Sequence, residues 1–472
     1  MNLIASFLDT AERHGERTAI VAGPGETISF SQLARRSGAL AQGWHRAGLR
    51  PGDRVLVAMP VGIDLYAAIA GLWRLGASIV FPEPALGFAG LRHAVRMTQP
   101  RALLTSGAYG LVRLAVPELW RIGLHLGLDD GMVGDLLTSV EADHPALISF
   151  TSGSTGKPKA IVRTHGFLAA QDAALDPLIA PQRQDEVDLV AFPVFVIANL
   201  KRGTTSVLPN WRLRRPDQAR DADMLRLMVG QKVTRALVPP SIGEVLAGAG
   251  ALPLQTLFTG GGPVFPDLIE RLGSAMPPGA DVVSVYGSTE AEPIAWQPAS
   301  AISAAQWTAM KTGAGLLAGR PVASIGLKLF DDEILVSGDH VNKGYLGGEG
   351  DADNKRNIDG VIWHRTGDAG RLDADGMLWL RGRISGHCAG LYPFEVEAPS
   401  RFWPGVRRSA LVALEGRSVL AVEGDAACLP AWQEAASAFG VDMVVPLARI
   451  PLDRRHRSKI DHLTLKKHLA GQ

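Results

Sequence analysis

Thr151-Ser152-Gly153-Ser154-Thr155-Gly156-Lys157 is a run of hydroxyls and glycines closed by a lysine, a mixture suited to holding phosphate. Glycines let backbone N–H groups converge on an anion without a Cβ in the way, the hydroxyls add donors, and Lys157 supplies charge. The spacing excludes a Walker-type loop, which needs four residues between its first glycine and its Gly-Lys pair, whereas Gly153 and Gly156 are separated by two. A surface turn without function has the same composition, so the loop alone leaves both readings open. Other residues could do chemistry. Gly260-Gly261-Gly262 would let a flat ligand lie directly on the backbone, although plain turns also use glycines. Glu290 follows a short apolar strand, Asp368 closes an Arg-Thr-Gly-Asp run, and Lys459 stands before an isoleucine in a basic stretch. Taken singly, these read equally as a helix-start acid, a turn and a solvated tail.

The elements that must position these groups alternate in type. Ile4–His14 carries helical spacing, residues 27–33 pass from strand to helix with Ser31 as the candidate cap, and a helix continues to His45. Strands at 54–59 and 78–81 flank a helix at 65–75, and an apolar strand at 146–150 leads into the Thr151–Lys157 loop. Further strands are expected at 188–192, 206–209, 236–239, 257–263 and 282–285. Strands alternating with helices imply a parallel sheet covered on both faces. From Gly319 the pattern becomes β-rich, with alternating strand at 332–345 and a strand at 377–381, and the last ninety or so residues read as a compact α+β module.

Together these stretches resemble the adenylate-forming superfamily of acyl-CoA synthetases, peptide-synthetase adenylation domains and luciferases. Thr151–Lys159 is similar to that family's T-S-G-S-T-G-x-P-K phosphate signature at every fixed position, and Tyr286-Gly287-Ser288-Thr289-Glu290 and Arg365-Thr366-Gly367-Asp368 resemble two later signatures. The resemblance implies an α/β fold: a large adenylating domain, 1–382, of parallel-type sheets covered by helices plus a small β-barrel-like subdomain, then a small mobile α+β domain, 383–472. It implies ATP as cosubstrate, with Thr151, Ser152, Gly153, Ser154, Thr155, Gly156 and Lys157 on the phosphates and Gly261, Gly262, Gly287 and Ser288 beside the nucleotide. Tyr286 would stack on adenine, Asp368 and Arg383 would meet the ribose, Thr289 the α-phosphate, and Glu290 Mg²⁺. Lys459 would bridge carboxylate and α-phosphate, so Lys459, Thr289 and Glu290 form the implied catalytic set; Phe195, Gly260 and Gly287 would line the acyl pocket.

The resemblance is closest to the olefin-biosynthesis β-lactone synthetase branch. Phe192-Pro193-Val194-Phe195 lacks the histidine usual in acyl-CoA ligases, and Ile384–Gly390 is shorter than their hinge hairpin and carries no lysine. Gly382–Ser385, Leu391-Tyr392 and Asp453–His456 before Lys459-Ile460 carry the likeness to that branch. It implies that a fatty or 3-hydroxy fatty acid is adenylated with loss of pyrophosphate and then closes on its own hydroxyl, releasing AMP and a β-lactone. Two alternatives stay open: transfer to CoA or an acyl carrier protein, and an inactive nucleotide-binding protein.

Length and composition bound the rest. At 472 residues the chain suggests two or three domains, and 46% apolar with 20% charged residues is ordinary for a globular protein. A formal net charge of +1 gives no reason to expect nucleic acid as partner; the resemblance implies a small carboxylic acid as substrate, with other olefin- or fatty-acid-pathway enzymes as candidate neighbours. Cys388 and Cys428 are too few for a disulfide framework or a four-cysteine metal site, which points to the cytoplasm. No uncharged apolar run is long enough for a membrane span. Tyr109–Leu128 is apolar on most sides but broken by Arg113, Pro117, Glu118 and Arg121, and is expected to form one or two packed helices, with contact to a membrane surface as the lesser alternative.

Overall fold

The computed structural model describes residues 2–82, 86–129, 134–152, 158–213, 215–453 and 458–470. Gly153–Lys157, the greater part of the expected phosphate loop, lie outside the described residues. The chain divides into two compact units: Met1–Asn210 with Thr289–Ala291 and Gly338–Lys355, and Trp211–Ser288 with Glu292–Ser337 and Arg356–Gln472.

The first unit is built on a six-stranded sheet whose spatial order is Leu124–Leu126, Ala102–Thr105, Arg54–Ala58, Ser78–Phe81, Pro145–Ser152 and Pro158–Thr164. The first five run parallel and the last is antiparallel, pairing Thr151 with Lys159 and Ser152 with Pro158. The expected phosphate loop therefore joins two paired strands. One face of the sheet packs Leu56, Val80, Leu103 and Ile148 against Leu91, Val95, Val116 and Leu119. The helix Ile63–Leu75 is buried almost throughout, which explains its apolar composition on every side. A second strand group pairs Thr205–Val207 in parallel with both Thr18–Gly23 and Val187–Val190, and Thr18–Gly23 antiparallel with Glu26–Ser29. The helix Phe30–Arg46 is capped by Ser29, not Ser31. Ser29 Oγ accepts from Gln32 N at 3.2 Å and the Gln32 side chain accepts from Ser29 N at 2.9 Å, a reciprocal box that satisfies two otherwise unpaired donors.

The second unit begins with three parallel strands, Arg235–Val238, Thr256–Gly260 and Asp281–Ser288. Antiparallel strands follow: Ala291–Pro298, Leu316–Pro321, Leu378–Arg383, Val361–Leu372, Glu333–Ser337 and Gly326–Phe330, in that hydrogen-bonded order. Two sequence expectations are corrected here. Strand does not run through 332–345 but stops at Ser337, and Arg365–Asp368 lies inside a long strand, with Gly367 at φ +72° supplying a local irregularity. The C-terminal module has the sheet Val406–Leu414, Arg417–Gly424 and Met443–Leu447, with the helices Pro393–Ser400, Leu429–Ser437 and His462–Ala470. One sheet face packs on Trp432 and Val396, the other on Leu465, Leu469 and Ile450.

Tyr109–Leu128 also departs from the sequence reading. Instead of one or two packed helices it forms the short turns Gly107–Leu111, Val112–Ala115 and Pro117–Arg121 and the strand Leu124–Leu126, because Pro117 cannot continue a helix begun at Val112.

Candidate active site

In the first unit the parallel strand Pro145–Ser152 delivers Thr151 to Glu290. Thr151 Oγ1 donates to Glu290 Oε1 at 3.4 Å, and Tyr345 Oη donates to the same oxygen at 3.1 Å. Asn342 N donates to Glu290 O at 2.7 Å, and Arg163 Nη2 donates to Thr289 O at 2.8 Å, so the backbone of this pair is held from two sides. Both bonds to the carboxylate fall on Oε1, with no hydrogen bond to Oε2 among the described residues.

Two lysines flank the tyrosine. Lys159, 4% exposed, has Nζ 5.4 Å from the centre of the Tyr345 ring, and Lys355 Nζ is 5.0 Å from it. Lys355 also donates to Asn342 O. Burial pushes the Lys355 ammonium down to about 8; Glu290 and Asp351 oppose that shift, and Lys159 adds to it. Burial first, and the Glu290 charge second, raise the Tyr345 phenol, so it remains a neutral donor to the carboxylate. Tyr345, Lys159, Lys355 and Arg163 were not among the sequence candidates for the site. Lys159 belongs to the quoted phosphate signature and could have been found there. Nothing in the spacing ties Tyr345 to Glu290, which lies 55 positions earlier.

In the second unit Tyr286, Asp368 and Arg383 come together. Tyr286 Oη donates to Asp368 Oδ2 at 2.8 Å, and Arg383 Nη1 donates to Asp368 Oδ1 at 2.9 Å and to Thr366 O at 2.9 Å. The strand register places Asp368 opposite Arg383, and Asp368 N donates to Thr366 Oγ1 at 3.0 Å. Gly367 is required by space as well as by its positive φ, since a Cβ there would stand 2.8 Å from Arg383 Nη2. Burial, then the Asp368 charge, raises the Tyr286 phenol well above its ordinary value. Gly287 and Ser288 end the same strand as Tyr286, and the buried Ser288 Oγ has no partner among the described residues.

The glycines at 260–262 close a strand of this unit. A Cβ on Gly260 would lie 2.4 Å from Val285 O and one on Gly262 2.6 Å from Ser458 Cβ, while Gly261 has φ +76°. The side on which a Gly262 side chain would stand is thus taken by Ser458. Ser458 Oγ also accepts from Ser241 N at 3.2 Å. Its neighbour Lys459 is exposed and set by its backbone: Lys459 N donates to Asp453 Oδ1 at 2.8 Å, and Asp453 N returns a bond to Lys459 O at 2.8 Å. Gly382, beside Arg383, has φ +132°. Phe195 is buried on the helix Val194–Arg202 of the first unit, in edge contact with Phe192 at 6.2 Å, whereas Gly260 and Gly287 belong to the second.

The chain belongs to the AMP-binding enzyme family, whose model matches residues 7–346, and it is an adenylate-forming ligase that uses ATP. It is 30% identical to an olefin beta-lactone synthetase of Xanthomonas campestris pv. campestris, over 94% of this chain and 91% of that one. It is 31% identical to a feruloyl-CoA synthase of an Amycolatopsis species, over 86% and 82% of the two chains. Among solved structures, ATP-bound MatB from Rhodopseudomonas palustris superposes with a TM-score of 0.82 at 19% identity, over 99% of this chain and 98% of that one, which shows a shared fold.

Proposed function

We propose that this enzyme adenylates a 3-hydroxy carboxylic acid with an apolar chain and closes the adenylate to a β-lactone. The observation that carries the reading is the likeness to an olefin beta-lactone synthetase along 94% of the chain. The short, lysine-free Ile384–Gly390 supports it, because intramolecular attack needs no second substrate to be guided in.

In the first step a carboxylate oxygen attacks the α-phosphorus of ATP in line and pyrophosphate leaves. The difficulty is the meeting of two anions, so the protein must neutralise charge and align the reactants. We assign grip on the leaving pyrophosphate to Thr151–Lys157, the α-phosphoryl group to Thr289, and the incoming carboxylate to Lys459. Tyr286, Asp368 and Arg383 take the nucleoside, with Gly261, Gly262, Gly287 and Ser288 beside it; the buried hydroxyl of Ser288 fits a polar ligand atom. Phe195, Gly260 and Gly287 are assigned to the acyl chain.

The oxygen donors around Glu290 fit a hard cation. Among the described residues no three acidic or histidine side chains cluster to hold a metal, so Mg²⁺ would rest on Glu290 and complete its shell with phosphate oxygens and water, its usual habit. When bound it would neutralise charge on the transferring phosphates. Tyr345 and Thr151 hold the carboxylate through Oε1, and Glu290 would supply the negative charge that holds the cation. In the second step the substrate's own 3-hydroxyl oxygen attacks the acyl carbon, its proton is lost, and AMP departs with the bonding electrons of the acyl–phosphate bond. We further propose that Gly382-Arg383 is the hinge between domains 1–382 and 383–472 and that the enzyme works in the cytoplasm beside other fatty-acid or olefin enzymes.

Incubation with ATP, Mg²⁺ and a 3-hydroxy fatty acid, followed by LC–MS with and without CoA, tests the reading. Lactone formed without CoA is the expected result. Acyl-CoA formed only when CoA is added would overturn the lactone step and favour the second reading, a CoA ligase, which the 31% identity to a feruloyl-CoA synthase supports.

A further inference from the structure

The carboxyl end of the six-stranded sheet carries more than the strand that leads to the phosphate loop. Because Ala102–Thr105, Arg54–Ala58, Ser78–Phe81 and Pro145–Ser152 are parallel neighbours, the segments that follow Phe81 and Thr105 leave by the same end as Ser152. Those segments hold Phe88, Leu111, Leu114 and Trp120, which are 55%, 66%, 77% and 64% exposed. Their apolar groups are not a misplaced core. Val112, Val116, Leu119 and Ile122 of the same turns already pack inward, so the exposed set forms a second apolar face. Arg92 Nη2 donates to Ala115 O at 3.1 Å and Arg96 Nη2 to Glu118 Oε1 at 2.5 Å, which ties the helix Gly87–Thr98 to these turns. Trp120 Nε1 donates to Arg113 O at 2.7 Å, so the polar edge of the indole is satisfied and its rings are presented outward.

The charge around this face is one-sided. Residues 86–128 contain Arg92, Arg96, Arg101, Arg113 and Arg121 against the single acid Glu118, in a chain whose formal net charge is +1. Glu118 is held by Arg92 and Arg96 together, and Arg101 meets Asp53 at 3.2 Å, so a net positive rim remains. Exposed leucine and tryptophan within an arginine rim match a bilayer surface: the apolar groups enter the acyl boundary and the guanidinium groups meet headgroup phosphates.

We propose that the face formed by Phe88, Leu111, Leu114 and Trp120, ringed by Arg92, Arg96, Arg113 and Arg121, docks this enzyme on the surface of an anionic phospholipid bilayer. The contact is peripheral, since no helix among the described residues is long and apolar enough to cross a membrane. It stands independently of the lactone reading.

The test is co-sedimentation of the full chain with vesicles of phosphatidylglycerol and phosphatidylcholine in equal parts, and with phosphatidylcholine alone. The expected result is binding to the mixed vesicles that weakens with added salt, with the Leu114→Ser/Trp120→Ser double variant losing at least about tenfold in partition. That variant keeps pyrophosphate exchange with a short, water-soluble acid, which shows that it folds. Arg113→Glu/Arg121→Glu loses the preference for anionic vesicles, and brominated lipid quenches less fluorescence in Trp120→Phe than in the parent. Absence of binding at low salt, or equal binding by the double variant, would overturn the proposal. So would self-association in sedimentation velocity that the double variant abolishes, because the face would then belong to a second copy of the chain.

Discussion

Removing the Tyr345 hydroxyl isolates one contact on the proposed metal carboxylate. Tyr345→Phe keeps the ring beside Lys159 and Lys355, so the cation–π contacts at 5.4 and 5.0 Å and the local packing persist. What disappears is the 3.1 Å bond to Glu290 Oε1, leaving only the longer 3.4 Å bond from Thr151 to restrain the carboxylate. A hydrogen bond to a charged acceptor contributes about 1.5–3 kcal/mol, which converts to roughly 10- to 150-fold in an equilibrium constant. The expected outcome is a rise of about tenfold or more in the Mg²⁺ concentration for half-maximal pyrophosphate exchange at fixed ATP. Binding of ATP in EDTA, followed by calorimetry, should change little, because no metal then depends on Glu290. An unchanged Mg²⁺ requirement, or an equal loss of ATP affinity with and without metal, would refute the assignment of Tyr345 as the residue that positions Glu290.

Lys459→Ala removes the cation proposed to draw in the carboxylate, an interaction of about 3 kcal/mol or more, and should slow adenylation by roughly a hundredfold or more; near-normal pyrophosphate exchange would refute its role. Asp368→Asn disrupts the bonds from Tyr286 and Arg383 and weakens the acceptor proposed for the ribose, so the KM for ATP should rise by about tenfold, as measured in the same exchange assay. Glu397, buried in the C-terminal module, accepts from Leu411 N at 2.9 Å, and burial pushes its carboxyl up to about 7 from the ordinary 4.5. Between those values the folded chain keeps a proton that the unfolded chain has lost, so stability falls as pH rises through the window and stays reduced above it. At about 1.4 kcal/mol per pH unit the penalty above pH 7 is about 3 kcal/mol; thermal melts of Glu397→Gln should show stabilisation at pH 8 that vanishes near pH 4.5.

Local chemistry was legible without coordinates wherever a motif is a single covalent stretch. A strand before Thr151 and a strand before Glu290 both follow from short apolar patterns bounded by turn residues, and the structure has them at Pro145–Ser152 and Asp281–Ser288. The cap at Ser29 was also written in the chain, because Gln32 three residues on completes the box, whereas Ser31 has no such partner. The same rule of locality explains the failure at 109–128: apolar content announced burial, but Pro117 broke the segment, and only the packing of Val112, Val116 and Leu119 decided which residues faced inward.

The resemblance carried by three short motifs, Thr151–Lys159, Tyr286–Glu290 and Arg365–Asp368, was enough to imply an adenylating enzyme, because each is a continuous stretch that can be matched without coordinates. Tertiary structure alone decided who holds whom. Glu290 takes its orientation from Thr151 and Tyr345, Asp368 shares its two oxygens between Tyr286 and Arg383, and Gly262 is glycine because Ser458 stands where its Cβ would be. Each of these joins residues far apart in the chain, and a contact set by the path of distant strands leaves no period or spacing in the sequence from which it could be read.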